Sequence, residues 1–514
     1  FGTIQSSTLQ FPDGMFVLDG GLLQGASSPN QIINSGSISV AANGGTMNTF
    51  INQGNILVGS VNIGVNSFEN SSTGTIKLSS TGGITGGNNA SFTNRGTIRK
   101  TGNADALISN ILNFNQENSL MDIQGGLLTF QNVTGSWTNP TFHTATGSVV
   151  DFGALAVLNL FGNVVGKGTG KVTMGQFSTG INWSGGNGTS PTHLIFEKGV
   201  LELNDAEMQS NGLGLINDGH ISVLNNSRIH GNSFKNEGTI EVLNGTLSMP
   251  TNQNTLNNKL VSGNWIVNNG AQISFDNNPI LSTNEASVTL RGTGTFGTFS
   301  NNLAINKGTL NLEGNSINIP GLFSNEGFLS LLPDSSVQSN GFSQTESGKT
   351  LVHIGGNPNS NHFGKINASQ GSFFKSGLLE INLANGYGPL QNESYPIFSF
   401  NSTSGSFLQV NGLTQGKNTI FNLRNTTQNV YLDTVNSVPD LDISQITVSS
   451  NSTSLNQPVT ISYTVINNQQ TNTAQSTWMD SLYLSKDEIY DEADKLIGSC
   501  LLYTSDAADD TPCV

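Results

Sequence analysis

Apolar and polar positions along this chain follow a recurring phrase: an aromatic or aliphatic residue, then x-Asn-x-Gly-x-Ile/Leu. It reads Ile32-Ile33-Asn34-Ser35-Gly36-Ser37-Ile38 and returns at Phe50-Ile51-Asn52-Gln53-Gly54-Asn55-Ile56. Further copies begin at Phe92, Leu215, Phe234 and Phe323. After each Gly, apolar residues alternate with polar ones, as in Thr239-Ile240-Glu241-Val242. Alternation of period two predicts a short strand with one face inward and one in water. The Asn-x-Gly before each strand reads as a tight corner, because Asn and Gly tolerate left-handed backbone.

The spacing sets the architecture. Ile32 to Phe50 is 18 residues, Phe50 to Phe68 is 18, Phe68 to Phe92 is 24 and Leu215 to Phe234 is 19. That step suits one coil of a β-helix, since helical repeats need roughly 33 residues or more. A second strand type lies between the copies: Gly126-Leu127-Leu128-Thr129-Phe130, Gly199-Val200-Leu201-Glu202-Leu203, Gly245-Thr246-Leu247-Ser248-Met249 and Gly308-Thr309-Leu310-Asn311-Leu312. The two types read as different faces of successive coils, which bury one continuous apolar column. Asn at equivalent corners is expected to form hydrogen-bonded ladders along the stack. An array of β-sandwiches with Asn/Gly hairpins is the rival reading, but its strands need not repeat at one-coil intervals. The expected fold class is all-β: a parallel, right-handed β-helix solenoid of about 20 coils, on the order of 100 Å long at ~4.8 Å per coil.

Composition refines this picture. Gly is 61 of 514 residues and charged residues are only 10%, so Asn, Ser, Thr and Gln must carry solubility. No run approaches the ~20 apolar residues of a membrane span. The net charge of −15 is uneven. Residues 439–499 hold eight acids (Asp440, Asp442, Asp480, Asp487, Glu488, Asp491, Glu492 and Asp494) against Lys486 and Lys495. The repeat region is therefore nearly neutral, and nucleic acid is excluded as a partner.

Both cysteines, Cys500 and Cys513, fall in the last fifteen residues. The run Cys500-Leu501-Leu502-Tyr503-Thr504-Ser505-Asp506-Ala507-Ala508-Asp509-Asp510 resembles a translated sequencing adapter. Residues 500–514 are accordingly set aside as a non-native tail, and 1–499 is read as a cysteine-free fragment lacking both natural ends. That composition fits a bacterial exported protein.

Three zones precede the tail. Residues 1–340 are repeat coils. Residues 341–435 read as the closing segment, with Phe342 19 residues after Phe323, then Gly377-Leu378-Leu379-Glu380-Ile381-Asn382-Leu383, Tyr395-Pro396-Ile397-Phe398-Ser399-Phe400 and Gly405-Ser406-Phe407. This order resembles the final β-helix segment of large bacterial surface proteins, including autotransporter passengers and haemagglutinin-like proteins. A cap is expected physically, since an open end exposes unpaired strand edges. Residues 439–499 contain Pro458-Val459-Thr460-Ile461-Ser462-Tyr463-Thr464-Val465 and Trp478-Met479-Asp480-Ser481-Leu482-Tyr483-Leu484-Ser485-Lys486-Asp487. They resemble a truncated CARDB domain, a cell-adhesion-related bacterial module. The resemblance implies a partial immunoglobulin-like β-sandwich that spaces or presents other domains, without catalysis.

Candidate chemistry is sparse. Polysaccharide-degrading β-helix enzymes need convergent carboxylates, and the nearest grouping is Glu202, Asp205 and Glu207, with His193 and His220 about one coil away. A solvated coil corner accounts for the same residues. His220 follows a phrase Gly, so it should point outward. The six histidines form no His-Glu-x-x-His pair. Gly292-Thr293-Gly294-Thr295-Phe296-Gly297 matches a dinucleotide fingerprint by letters only, because no βαβ unit surrounds it. Asp487, Asp491 and Asp494 are candidate Ca²⁺ ligands, with simple solvation as the alternative. Asn132, Asn187 and Asn244 begin Asn-x-Ser/Thr triplets of the kind an Asn-rich chain produces by chance. The resulting expectation is an extracellular or bacterial cell-surface rod, monomeric and non-enzymatic. It would attach to a host-cell, matrix or polysaccharide ligand through its faces and through the loops 184–191 and 356–364. A carbohydrate-active lyase or hydrolase is the alternative.

Overall fold

The computed structural model describes residues 8–25, 31–153, 156–175, 183–415, 419–436, 441–450, 457–467, 477–486 and 494–503. The chain is nearly all β and winds into a parallel solenoid of about 15 turns. This is fewer than the spacing suggested, because loops and inserted strands lengthen many coils. At ~4.8 Å per coil the stack is on the order of 70 Å long.

Each coil contributes three short strands, and like strands stack in register into three walls. In the early coils the first wall takes Ile32–Asn34 and Phe50–Asn52, the second Ser37–Val40 and Asn55–Val58, and the third begins with Gly45–Asn48. Pairing is parallel and residue-for-residue, as in Ser37 with Asn55 and Ile38 with Ile56. The alternating pattern sends Ile38, Ile56, Ile76 and Ile98 inward, all fully buried. In the first wall Phe50, Phe68, Phe92 and Phe114 occupy one column, with ring centroids 5.6, 5.0 and 4.8 Å apart in succession. Parallel in-register stacking repeats the same side chain at the same place, so the core is a set of columns.

The Asn of the phrase forms the expected ladder, buried inside the corner. Asn34 Nδ2 donates to Asn52 Oδ1 at 2.8 Å, Asn52 to Asn70 at 2.8 Å, Asn70 to Asn94 at 2.6 Å, and Asn94 to Gln116 Oε1 at 2.7 Å. All five side chains are fully buried. Asn34, Asn52 and Asn70 also donate to backbone carbonyls at the corner, as Asn34 does to Asn55 O at 3.1 Å.

The conformational reading of the phrase needs correction. Neither Asn34, Asn52, Asn70 and Asn94 nor Gly36, Gly54 and Gly96 has positive φ. The glycines are required for close approach: a Cβ on Gly54 would lie 2.0 Å from Gly36 O, and one on Gly238 2.1 Å from Gly219 O. Left-handed residues sit at other corners, among them Asn110, Asn132, Asp205 and Asn225.

A second difference concerns equivalence of the copies. In early coils the phrase ends a first-wall strand. From Leu215–Asn217 onward it occupies the second wall, in register with Thr192–Phe196. The ladder thus changes corner, resuming as Asn217 to Asn236 (2.7 Å), Asn284 to Asn306 (2.8 Å) and Asn306 to Asn325 (2.9 Å). Between the two ladders the interior holds large rings: Phe130, Trp137, Phe142, Phe152, Trp183 and Phe196, in mutual contact. Trp137 takes the column position after Gln116. Both ladders run up to glutamine, Gln116 in one and Gln344 in the other.

At the far end, Ser394–Gly405 pairs antiparallel with Asn429–Asn436, which pairs antiparallel with Thr419–Asn425. Buried Tyr395 donates to Glu393 at 2.6 Å within this region. Residues 441–503 contribute two antiparallel ribbons, Leu441–Val448 with Ile461–Asn467 and Thr477–Leu484 with Lys495–Tyr503. Antiparallel ribbons are the units of a sandwich, but a complete immunoglobulin-like sheet pair is not present among the described residues.

Candidate functional site

The outward side chains of the third wall form the densest polar cluster near the sequence candidates. One column runs Asp151, Thr173, Glu202, Ser222 and Glu241 on five successive coils. The inward neighbours Leu201, Leu203, Ile221 and Val223 are fully buried, which fixes this column on the outside. It is nevertheless sheltered: Glu202 is 8% exposed and Ser222 6%. Lys171 Nζ donates to Glu202 Oε2 at 2.6 Å. Thr173 Oγ1 donates to Asp151 Oδ1 at 2.8 Å. Glu241 accepts from Arg291 at 3.2 Å and from Asn268 at 3.3 Å, and Arg291 continues to Glu313 at 2.7 Å. The Glu313 bond is the main reason the Arg291 guanidinium is held above its ordinary range.

His220 faces outward, as expected, yet is only 8% exposed. Its Nε2 lies 3.5 Å from Glu241 Oε2, close enough for an ion pair but not aligned for a hydrogen bond. Burial lowers its pKa, against the opposing pull of Glu241. The imidazole therefore favours the neutral form.

The three candidate carboxylates are not brought together. Glu202 stands on the third wall. Asp205 is a left-handed corner residue, φ 53°, whose carboxylate accepts from Asn226 N at 3.1 Å. Glu207 stands on the first wall, exposed, 3.1 Å from His230. His193 belongs to the second wall and pairs with Asp218 at 2.6 Å.

The same division of labour holds along the rod. Arg95 bridges Glu69 and Glu117 on the coils either side, at 2.7 and 2.8 Å. Asp122 has burial acting to raise its pKa, but bonds from Arg99 and His143 outweigh it and hold the carboxyl below its usual range. All six histidines stand beside a carboxylate of another coil; His143, His193, His220, His230 and His362 do so within 3.5 Å, and His353 feels Glu380. This pattern is invisible in the sequence, because the partners are a full coil apart.

The remaining candidates are placed as follows. Gly292–Gly297 forms a corner and a short strand beside a cavity of about 360 Å³. In the 356–364 loop, Pro358–Ser360 makes a 3-10 turn capped by Asn357, and His362 bonds Asp334 at 2.7 Å. Asp487 and Asp491 lie outside the described residues, whereas Asp494 immediately precedes the strand Lys495–Tyr503. Among the described residues no group of three or more His, Cys, Asp or Glu is arranged to hold a metal ion, and no helix is long and apolar enough to cross a membrane. Comparison with protein-family models, curated proteins and solved structures found no match. The likenesses to CARDB and to bacterial surface β-helices therefore stand as resemblances of sequence.

Proposed function

We propose that this chain is the rod-like scaffold of an extracellular or cell-surface protein, whose outer faces attach to a cell, matrix or polysaccharide surface. The observation that supports this reading is the use to which charge is put. Each candidate carboxylate is committed to a neighbour: Glu202 to Lys171, Asp205 to Asn226 N and Glu207 to His230. Cations and histidines likewise join coil to coil. Such pairing favours a stiff stack and leaves few groups free to titrate during turnover. The CARDB-like segment adds an argument by resemblance for presentation of neighbouring domains.

One observation favours a second reading, a polysaccharide-cleaving enzyme. Glu202 and Glu241 flank Ser222 in one column, two coils apart. Two steps of ~4.8 Å put their backbones about 9.6 Å apart, near the roughly 6.5–9.5 Å carboxyl separation of inverting glycosidases. The experiment is a screen of the recombinant chain against neutral and acidic polysaccharides, with binding and cleavage read in parallel. The scaffold reading expects retention without cleavage. Cleavage abolished by Glu202→Ala would overturn it in favour of the enzyme.

A further inference from the structure

At one coil interface the first wall comes apart. Thr295 and Phe296 pair back to Gln272 and Ile273, and residues 316–319 pair forward to 336–339. No strand pairing among the described residues joins the two edges that face each other. At the corner beside them the coils are still one step apart. There Arg291 pairs with Glu313 on the third wall, and Asn315 Nδ2 donates to Gly292 O at 2.7 Å and to Gly294 O at 2.9 Å. Beyond Phe296 the chain turns away into the short helix Phe299–Asn302, which packs against Ser316–Asn325. The divergence leaves the cavity of about 360 Å³.

Peptide groups from both edges converge on this cavity. Thr295 N donates back to Ala271 O at 3.1 Å, and Gly297 N to Ile273 O at 2.8 Å. Successive residues of a parallel strand address opposite edges, so the N–H and C=O of Phe296 turn forward, into the gap. On the far side Ser336 N donates to Asn315 O at 3.0 Å. By the same alternation the peptide groups of Ser316 turn back toward Phe296. Buried peptide groups demand partners, and among the described residues no strand supplies them here. The inner end of the cavity is apolar, with Phe296, Phe299 and Ile317 buried. At its mouth stand the exposed Thr295 and Ser316. Ser316 Oγ accepts from Ser336 Oγ at 2.8 Å and keeps its own proton to donate. Among the described residues no charged side chain lines the cavity.

We propose that this cavity binds one neutral N-acetylated sugar unit of a polysaccharide. An acetamido group presents one N–H and one C=O, the complement of an open strand edge, and its methyl suits the apolar inner end. The hydroxyls of the ring then meet Thr295 and Ser316 at the mouth. The volume lies at the small end of the ~300–1,000 Å³ of ligand pockets, which suits a single unit. An uncharged lining offers no ion pair to a carboxylate or phosphate, so acidic sugars are disfavoured. A peptide strand paired to both edges would need them two spacings apart, roughly 9.6 Å, whereas the paired corner holds them near one. This inference rests on the reading of the rod as a scaffold that attaches to a polysaccharide, and gives that reading a site.

Saturation-transfer NMR on the full chain tests it, with N-acetylglucosamine trimer, maltotriose and N-acetyl-trialanine as probes. The acetylated trimer should bind, with its acetyl methyl protons the most strongly saturated. Maltotriose, which lacks the amide, should bind at least about tenfold more weakly. Ser316→Trp fills the mouth from one edge and Thr295→Tyr from the other, and each should abolish the signal with its urea midpoint unchanged. A folding defect in one variant leaves the other, and the wild-type comparison of probes, to decide. Silence of the acetylated trimer, equal binding of maltotriose, tighter binding of the peptide, or undiminished binding in both variants would each overturn the site. If the rod still retains polysaccharide after such a result, the scaffold reading stands and only this site falls. If the trimer binds as expected but no polysaccharide is retained, the site stands and that reading falls.

Discussion

Asn70 is the sharpest place to perturb the stack, because it is the middle rung of the first ladder and fully buried. Its Oδ1 accepts from Asn52 at 2.8 Å, and its Nδ2 donates to Asn94 Oδ1 at 2.6 Å, Gly74 O at 3.2 Å and Thr97 O at 3.3 Å. Asn70→Ala leaves some of these partners satisfied. Asn52 Nδ2 keeps Gly54 O and Thr75 O, and Gly74 O keeps Thr97 N. Asn94 Oδ1 and Thr97 O lose their amide donor in a dry corner. At about 1–3 kcal/mol for each of the two orphaned buried groups, the loss is about 2–6 kcal/mol. Urea unfolding followed by circular dichroism and by tryptophan fluorescence measures it, with the exposed Asn187→Ala as a control expected within about 0.5 kcal/mol. Asn70→Asp adds a check on mechanism. It keeps the acceptor but buries a carboxylate with no donor, so its loss should shrink on acidification as the carboxyl gains a proton to donate. An Asn70→Ala loss no larger than that of Asn187→Ala would refute the ladder argument.

Three further outcomes are expected. Gly54→Ala drives a Cβ to 2.0 Å from Gly36 O, whereas Gly59→Ala meets nothing within 4 Å; thermal unfolding should show a loss of about 1–3 kcal/mol for the first and under about 0.5 for the second. Arg291→Met removes bonds to Glu241, Asn268 and Glu313 from a side chain 39% exposed; after allowance for solvent screening the loss in chemical denaturation is about 1–2 kcal/mol. Burial lowers the pKa of His220 and His353 from 6.5, opposed by Glu241 and Glu380. The unfolded chain therefore binds protons more readily, and the stability they contribute is complete above pH 6.5 and lost as pH falls below it. Replacing both with Gln should flatten that part of the stability–pH profile, and an unchanged slope would count against their burial.

The solenoid was readable from the phrase because each Phe or Ile, Asn and Gly has a place in every coil where it occurs. The physical role of the phrase was less readable. Positive φ and close backbone approach both demand glycine, and only the neighbouring coil distinguishes them: Gly36 O beneath Gly54 requires the second. The change of corner between Gln116 and Asn217 was hidden for a related reason. The local pattern around Phe92 and Phe234 is the same, but the ring-filled coils between them move the column from one wall to the next. Lys100 shows the limit of alternation as a guide. It occupies a core column between Leu78 and Ile123, with its ammonium bonded to Thr101 O and Gly102 O at 2.9 Å. In sequence it looks like an exposed charge at a strand end. Among the candidate site residues, Glu202 was placed near a sheltered cluster. Its partners Lys171, Ser222 and Glu241 were missed because no local spacing links residues one coil apart.

Spin-label distances along one outward column test the in-register stack most directly. Thr75, Thr97, Leu120, Thr141, Val165 and Ile195 follow one another on successive coils of the second wall. With Cys500 and Cys513 replaced by Ser, labels introduced in pairs at these positions should separate by a constant ~4.8 Å per coil, reaching on the order of 24 Å for Thr75–Ile195. Distances that fail to rise in proportion to coil number would contradict the stacked solenoid.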